Sequence, residues 1–121
     1  MAYRTQNNKD KGNTYEDKTV EYLKKTGMEV LDRNYRCRFG EVDLVCEEDR
    51  DLVFVEVKYR MNGKYGHPSA AINYYKRRNI VNVSRWYVQE KKRFEQNVRY
   101  DVAIWFNGRL EYYKGAFDYD G

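Results

Sequence analysis

The sequence predicts a mixed α/β domain, in which a mixed central β-sheet is flanked by helices and the element order is αβββαββ. Five short apolar segments are bounded by polar or glycine-containing turns, which is typical of strands, and two longer segments carry apolar residues at helical spacing. The dipeptide Asn107-Gly108 separates the last two strand-like segments and is favoured in two-residue hairpin turns.

The first helix is predicted over residues 13–25. Asn13 or Thr14 supplies an N-cap side chain, acidic residues follow in the first turn, and lysines occupy the last turn. The spacing i, i+4 and i+7 defines an inward-facing stripe that comprises Glu16, Val20 and Leu23. A carboxylate is therefore predicted to point towards the core.

Three strands are predicted next, at residues 28–36, 39–47 and 51–59. The acidic segment 48–51 supplies a polar hairpin turn, so a meander is the simplest connection. Residues 61–68 contain an Asn-Gly pair, a further glycine and the proline of the chain, and they are predicted to form a flexible loop. Loops beside a functional site often admit substrate.

The second helix is predicted over residues 69–90. Its apolar stripe includes one basic residue and comprises Ile72, Lys76, Ile80, Val83 and Tyr87. The last two strands are predicted at residues 98–106 and 110–113, joined by the Asn-Gly hairpin turn.

The length and charge of the chain limit the class of protein. At 121 residues the chain suits one domain, with residues 1–11 as a flexible N-terminal arm and residues 12–121 as the domain itself. The formal net charge of +4 is compatible with a polyanionic partner. No segment has the apolar core of a signal peptide or the roughly 18 apolar residues that a membrane span needs, so we expect a cytoplasmic protein with no membrane partner.

Acidic residues interrupt two strands that are otherwise apolar. Because side chains alternate between the two faces of a strand, Glu41 and Asp43 share one side of the second strand. Glu56 and Lys58 share one side of the third strand for the same reason. Carboxylates about 4 Å apart repel one another by on the order of 1 to 4 kcal/mol, so this cluster is predicted to bind a cation, and a divalent metal ion is the natural candidate.

Asp43 and Glu56 are the strongest candidate ligands, because Mg²⁺ prefers oxygen atoms and binds through one or two carboxylates plus substrate phosphate. Lys58 is placed to hold a water molecule or to stabilise charge on a phosphate. The alternative is a half-exposed sheet with cross-strand ion pairs, but the additional carboxylate of Glu16 favours the metal site. Glu41 is better explained as a structural residue near the solvent end of its strand.

Basic residues are the candidate contacts with a polyanion. Lys76 lies on an apolar stripe, so its side chain either extends to water or reaches a phosphate beside the acids. Lys and Arg contacts with phosphate supply most of the sequence-independent affinity for nucleic acid, although basic clusters are often only solvated surface. The residues selected as nucleic-acid contacts are Lys76, Arg60, Arg77, Arg36 and Arg38.

The order of a helix Glu, a strand Asp and then Glu-x-Lys resembles the PD-(D/E)XK nuclease superfamily. The motifs Gly-Glu-Val-Asp-Leu-Val at residues 40–45 and Val-Phe-Val-Glu-Val-Lys-Tyr-Arg at residues 53–60 further resemble the bacterial YraN-like family. Shorter likenesses are Asn-Tyr-Arg at residues 34–36, Gly-His-Pro at residues 66–68 and Arg-Tyr-Asp-Val at residues 99–102. The resemblance spans nearly all of the chain after the N-terminal arm.

The resemblance implies a restriction-endonuclease-like core that is similar to archaeal Holliday junction resolvases. It implies that Glu16, Asp43 and Glu56 are catalytic acids that bind metal, with Mg²⁺ or Mn²⁺ as the cofactor. It also implies that the backbone carbonyl of Val57 is a further ligand and that Lys58 is the catalytic lysine.

The sequence therefore predicts a metal-dependent endonuclease that hydrolyses phosphodiester bonds, with DNA favoured over RNA and branched or junction DNA as the implied substrate. A non-catalytic nucleic-acid-binding module with the same fold is the first alternative. A protein-interaction domain whose acids form structural ion pairs is the second. Symmetric cutting of a junction requires a two-fold dimer, and the sequence leaves a homodimer open.

Overall fold

The computed structural model of the chain describes residues 2–60 and 68–119. The predicted element order αβββαββ is confirmed, with one short 3₁₀ helix added before the second α-helix. The elements are α1 (Ala2–Lys25), β1 (Glu29–Cys37), β2 (Gly40–Glu48), β3 (Asp51–Tyr59), the 3₁₀ helix (Pro68–Ala71), α2 (Tyr74–Lys91), β4 (Asn97–Phe106) and β5 (Arg109–Phe117).

The five strands form one mixed sheet in the order β1-β2-β3-β4-β5. Strands β1, β2 and β3 pair antiparallel as the predicted meander, and β4 pairs antiparallel with β5. Strands β3 and β4 pair in parallel, so the chain must cross over between them, and α2 makes that crossover. The central sheet is therefore mixed and flanked by helices, as predicted.

Each face of the sheet carries its own apolar core. On one face Val45, Leu52 and Phe54 pack with Ile80 and Tyr87 of α2. On the other face Val20 and Leu23 of α1 pack with Leu44, Val53 and Val55. Because residues two apart in a strand share a face, Glu56 continues the α2 side of the sheet after Leu52 and Phe54.

The predicted hairpin turns are confirmed. Strand β2 ends at Glu48 and β3 begins at Asp51, so the turn between them consists of two residues, of which Asp49 has a positive φ of 55°. Asn107 and Gly108 have φ values of 52° and 71° between β4 and β5. Positive φ at both central positions is the requirement of the hairpin turn that Asn-Gly favours.

Both helices begin at residues other than those predicted. Helix α1 begins at Ala2, so Asn13 and Thr14 lie inside it and neither is an N-cap. Residues 2–13 contain no proline, and Gly12 is their one strongly unfavourable residue, at a cost of about 1 kcal/mol relative to alanine, so the sequence permits this extension. The flexibility expected of residues 1–11 stays a prediction.

Helix α2 begins at Tyr74, five residues after its predicted start. The side-chain oxygen of Asn73 accepts a hydrogen bond from the backbone N–H of Lys76 at 2.8 Å, and this N-cap fixes the first turn. Ile72 is buried as predicted, but it precedes the helix.

The loop predicted at residues 61–68 lies outside the described residues apart from Pro68, which begins the 3₁₀ helix. Among the residues that the structure describes, neither helix combines the length and the apolar character that crossing a membrane requires.

Candidate active site

Asp43 and Glu56 meet at the point where strands β2 and β3 stop pairing. The backbone register of the two strands runs as far as Leu44 opposite Val55. Beyond the Leu44–Val55 pair, the two carboxylates accept hydrogen bonds from backbone amides of the opposite strand. Glu56 Oε1 accepts from the Asp43 N–H at 3.4 Å, and Asp43 Oδ2 accepts from the Val57 N–H at 2.8 Å. The predicted convergence of these two acids is therefore confirmed.

The two carboxylates are held where ionisation is unfavourable. Glu56 is 8% exposed, and burial together with the negative charge of Asp43 raises its pKa to about 8. Burial also raises the pKa of Asp43 to about 6. The negative charges of Glu16 and Glu41 raise this pKa further, whereas the hydrogen bond from the Val57 N–H and the charge of Lys76 lower it. At neutral pH the pair therefore carries a proton that an exposed pair of carboxylates would have lost.

Lys76 places a positive charge beside this cluster, for which the sequence predicted a divalent metal ion. Its Nζ atom lies 3.4 Å from Glu56 Oε2 and donates a hydrogen bond to the Glu41 carbonyl oxygen at 3.3 Å. The sequence predicted that this side chain either extends to water or reaches a phosphate beside the acids. It lies beside the acids, and it is still 37% exposed. The ammonium group from α2 therefore partly neutralises the acids.

Glu16 is buried on α1, as its helical spacing predicted, but it is engaged by strand β1. Its Oε1 atom accepts hydrogen bonds from Arg33 Nη2 at 3.1 Å and from Asn34 Nδ2 at 3.0 Å. Arg33 also forms an ion pair with Asp17 at 2.6 Å. The negative charge of Glu16 nevertheless contributes to the raised pKa of Asp43, so the third acid lies within electrostatic reach of the pair.

Arg33 and Asn34 are the residues at this site whose roles the sequence did not reveal. Asn34 has a positive φ of 53°, and asparagine tolerates this left-handed conformation better than most residues. An asparagine within a predicted strand is the available sequence signal for that conformation. Arg33 has no comparable signal, because its contact with Glu16 joins residues 17 positions apart.

The donor atoms at the site fit a hard divalent cation. Asp43 and Glu56 offer carboxylate oxygens, and burial together with the neighbouring negative charges raises the pKa of each group, so a bound cation would favour their ionised forms. Within residues 2–60 and 68–119, however, no group of three or more Asp, Glu, His or Cys side chains stands close enough to share one ion. Glu16, held by Arg33 and Asn34, does not join the pair directly in this arrangement.

Lys58 and Val57 follow Glu56 on strand β3. The Lys58 side chain is exposed, and in the described part of the chain it forms no hydrogen bond or ion pair. The Val57 N–H anchors Asp43, while its side chain packs against the α1-side core. The catalytic role of Lys58 and the Val57 carbonyl as a metal ligand stay predictions.

Arg60 and Arg77, two of the predicted nucleic-acid contacts, also donate hydrogen bonds to the protein backbone, and their contact with nucleic acid stays a prediction. Arg60 Nη2 donates to the Ala71 carbonyl oxygen at 3.1 Å, and Arg77 Nη1 donates to the neighbouring Ile72 carbonyl oxygen. Both arginines therefore attach the segment before α2 to its surroundings.

The other two predicted arginine contacts lie at the β1–β2 hairpin. Arg36 forms an ion pair with Glu41 at 3.2 Å, which gives Glu41 the structural role expected of it, and the Arg36 side chain remains 76% exposed. Arg38 is exposed in the turn, with its guanidinium carbon 5.4 Å from the centroid of the Phe39 ring. These two side chains are accessible to a large ligand.

Asp101 is fully buried and belongs to the fold. It accepts two hydrogen bonds from Arg99, at 2.9 and 3.0 Å, one from the Tyr112 hydroxyl at 2.6 Å and one from the Gly115 N–H at 2.9 Å. This network joins β4 to β5 and is separate from the Asp43–Glu56 pair.

Comparisons with known proteins place the chain in one sequence family. Residues 15–104 match the family described as "Uncharacterised protein family UPF0102". A UPF0102 protein of Caldicellulosiruptor saccharolyticus is 46% identical over 87% of this chain and 90% of its own length. One of Lachnoclostridium phytofermentans is 42% identical over 93% of this chain and 96% of its own length.

Among solved structures, Pyrococcus furiosus SfsA in complex with Ca²⁺ gives a weak likeness, with a TM-score of 0.40 and 11% identity over 84% of this chain and 63% of that chain. The sequence matches are far stronger, and they agree with the YraN-like motifs identified above. The chain belongs to the UPF0102, or YraN-like, family.

Proposed function

We propose that this protein is a divalent-metal-dependent endonuclease that hydrolyses DNA phosphodiester bonds and acts on branched or junction DNA. The observation that carries the proposal is the contact of the half-buried Asp43 with the buried Glu56, whose pKa values are both raised, chiefly by burial. Carboxylates with strongly raised pKa values at the end of a strand are more typical of functional sites than of surface ion pairs.

Asp43 and Glu56 would hold the Mg²⁺ or Mn²⁺ ion, with Glu16 and the Val57 carbonyl as further ligands. When bound, such an ion acts as a Lewis acid and lowers the pKa of a coordinated water. Lys58 lies two residues beyond Glu56 with an exposed ammonium group, which suits it to orient a water molecule or to stabilise charge on a phosphate. Asp43 and Glu56 must lose the proton that they share at neutral pH before both can bind a cation.

The charge distribution supports DNA as the partner. The net charge is +4, and the exposed Arg36 and Arg38 lie on the hairpin that leads into β2 and its acids. DNA in place of RNA, and junctions in particular, follow from the family resemblance. Symmetric cutting of a junction needs two copies of the site, so the proposal includes a homodimer, and a DNA substrate accords with the cytoplasmic location expected from the sequence.

A non-catalytic DNA-binding module is the second candidate. The observation that favours it is the contact of Lys76 with Glu56, because the ammonium group already compensates part of the negative charge without a metal ion. This candidate predicts DNA binding that EDTA does not weaken and no cleavage with any metal.

The test is cleavage of labelled four-way junction, flap, duplex and single-stranded DNA with Mg²⁺, Mn²⁺ or EDTA. We expect the wild type to cut with metal, and Glu56→Ala and Lys58→Ala to bind DNA without cutting it. Matched controls are Glu95→Ala and Lys24→Ala, which remove the same groups from exposed positions outside the site. If the wild type binds every substrate and cuts none, the binding module is the better description.

A further inference from the structure

Two large aromatic side chains form an exposed pair at the β1–β2 hairpin. Phe39 occupies the hairpin turn and Trp86 lies on α2, with their ring centroids 5.9 Å apart in an edge-to-face arrangement. Phe39 is 42% exposed and Trp86 is 39% exposed. Each ring therefore keeps a surface that the fold does not cover.

Arginines surround this aromatic pair. The guanidinium of Arg38 lies over Phe39, and Arg85 lines a cleft of about 210 Å³ together with Phe39, Trp86, Asn82 and Gln89. Over the described ranges 2–60 and 68–119, neither arginine has an acidic side chain within ion-pair distance. We call Arg38, Phe39, Arg85 and Trp86 the aromatic–arginine patch.

The patch has a fixed position relative to the Asp43–Glu56 pair. Ten residues of α2 separate Lys76 from Trp86, which is about 15 Å at the rise of an α-helix. Four residues of β2 separate Phe39 from Asp43, which is about 13 Å along a strand. Because Lys76 bonds the Glu41 carbonyl and Trp86 contacts Phe39, the helix and the hairpin are joined at both ends of this span.

The backbone of the hairpin also lies close to α2 between these two contacts. Gly40 has a positive φ of 138°, and a Cβ atom there would lie 3.6 Å from Asn79 of α2. The hairpin backbone therefore packs against α2 between the two contacts. The spacing of about 13 to 15 Å is set by one helix and one strand that pack together.

We propose that the aromatic–arginine patch is a stacking platform for an unpaired base of DNA, which places single-stranded DNA next to the acid pair. This inference rests on the proposed function, since it specifies which DNA strand that site would receive. Aromatic side chains stack on bases, and arginines beside them contact phosphates, in proteins that bind single strands. The distance of about 13 to 15 Å between the platform and the acids is short enough for one strand of a few nucleotides to contact both.

The charge of the patch selects this occupant over a second copy of the chain. A two-fold contact through the patch would bring two copies of Arg38 and two of Arg85 together without carboxylates to compensate them. A DNA strand brings phosphates to the same arginines and flat bases to the rings. Duplex DNA satisfies only the first of these contacts, because its base faces are covered by neighbouring base pairs.

The test is equilibrium binding of a fluorescently labelled oligodeoxythymidylate and of a blunt duplex of equal length, both in EDTA. We expect Phe39→Ala and Trp86→Ala to weaken binding of the single strand by about 5- to 150-fold, the range measured for loss of one stacking contact, with little change for the duplex. Phe94→Ala is the matched control, because Phe94 is 61% exposed and follows Lys92 and Arg93. It is expected to bind the single strand as the wild type does.

The salt dependence of binding distinguishes the contribution of the aromatic rings from that of the arginines. Trp86→Ala removes no phosphate contact, so the slope of log affinity against log salt should stay unchanged, whereas Arg85→Ala should reduce the slope for the single strand by about 0.7. Trp86→Tyr keeps an aromatic face and should restore most of the affinity for the single strand. This rescue also guards against misfolding of the alanine variant.

Three results would overturn the platform: no binding of the single strand by the wild type, wild-type binding by both alanine variants, or a dimer that Trp86→Ala dissociates in sedimentation. Because binding is measured in EDTA, the nuclease proposal is tested separately. If the wild type cuts no substrate but Trp86→Ala weakens binding of the single strand, the platform is supported and the nuclease proposal is wrong. If the wild type cuts DNA and both alanine variants bind the single strand normally, the nuclease proposal is supported and the platform is wrong.

Discussion

Replacing Glu56 with glutamine should stabilise the metal-free protein at neutral pH. Glutamine resembles the protonated acid, so the substitution removes the cost of ionising a carboxyl group that is 8% exposed. Burial and Asp43 raise the pKa of Glu56 from 4.5 to about 8 in the folded protein. As the pH rises, the unfolded chain therefore loses this proton first, and the folded state loses stability between about pH 4.5 and pH 8.

The magnitude follows from these two pKa values. At 1.36 kcal/mol per pH unit, the wild-type protein pays about 3 kcal/mol at pH 7 and about 1 kcal/mol at pH 5 for this one group. The free energy of unfolding of Glu56→Gln, relative to wild type, should therefore rise by about 2 kcal/mol from pH 5 to pH 7. Asp43 titrates in both proteins, so its contribution largely cancels in the comparison.

The assay is urea-induced unfolding at pH 5, 6 and 7 in EDTA, with Glu95→Gln as the control for loss of an exposed carboxylate. The control should follow the wild type at every pH. A difference between Glu56→Gln and wild type that stays constant with pH, or that turns against the variant as the pH rises, would refute the reasoning, because it would mean that Glu56 is ionised at no cost.

Three further predictions concern the same molecule. Lys76→Met removes the ammonium group 3.4 Å from Glu56, so calorimetry at pH 8 should show tighter Mn²⁺ binding than in the wild type; equal or weaker affinity would count against competition between lysine and metal. Millimolar Mn²⁺ should raise the melting temperature of the wild type at pH 8 but not that of Glu56→Gln, and equal shifts would place the ion elsewhere. Asp101→Asn removes the buried carboxylate that pairs with Arg99, while Arg99 keeps its ion pair with Glu48 at 2.9 Å. Urea-induced unfolding should show a free energy of unfolding lower by about 2 kcal/mol, whereas a loss below about 1 kcal/mol would show that Glu48 and water replace the carboxylate.

The acids could be predicted from sequence because their placement depends on local periodicity. Alternation along β3 puts Glu56 on the side of Leu52 and Phe54, and the short turn after β2 makes that strand pair with β3, which brings Asp43 next to Glu56. Helical spacing likewise buries Glu16, since Val20 and Leu23 fix the inward face of α1. The positions of the acidic side chains could therefore be predicted mainly from regular backbone geometry.

The partners of those acids could not be predicted, because they come from distant parts of the chain. Lys76 reaches Glu56 across 20 positions, and Arg33 reaches Glu16 across 17, so each contact depends on how a helix crosses the sheet. Periodicity places Lys76 on an inward stripe but does not name the carboxylate that it meets. The left-handed backbone of Asn34 is a similar case, since the residue type permits it and only the surrounding fold imposes it.

The paired carboxylates at the end of the β2–β3 ladder have a consequence for how relatives of this protein are interpreted. One oxygen of each acid holds a backbone amide of the opposite strand, so the two residues also fasten the sheet. A relative that had lost its chemistry would still need something to close this gap between the strands. Selection for folding alone would then preserve both acids, and their presence in a family member indicates the architecture before it indicates an active enzyme.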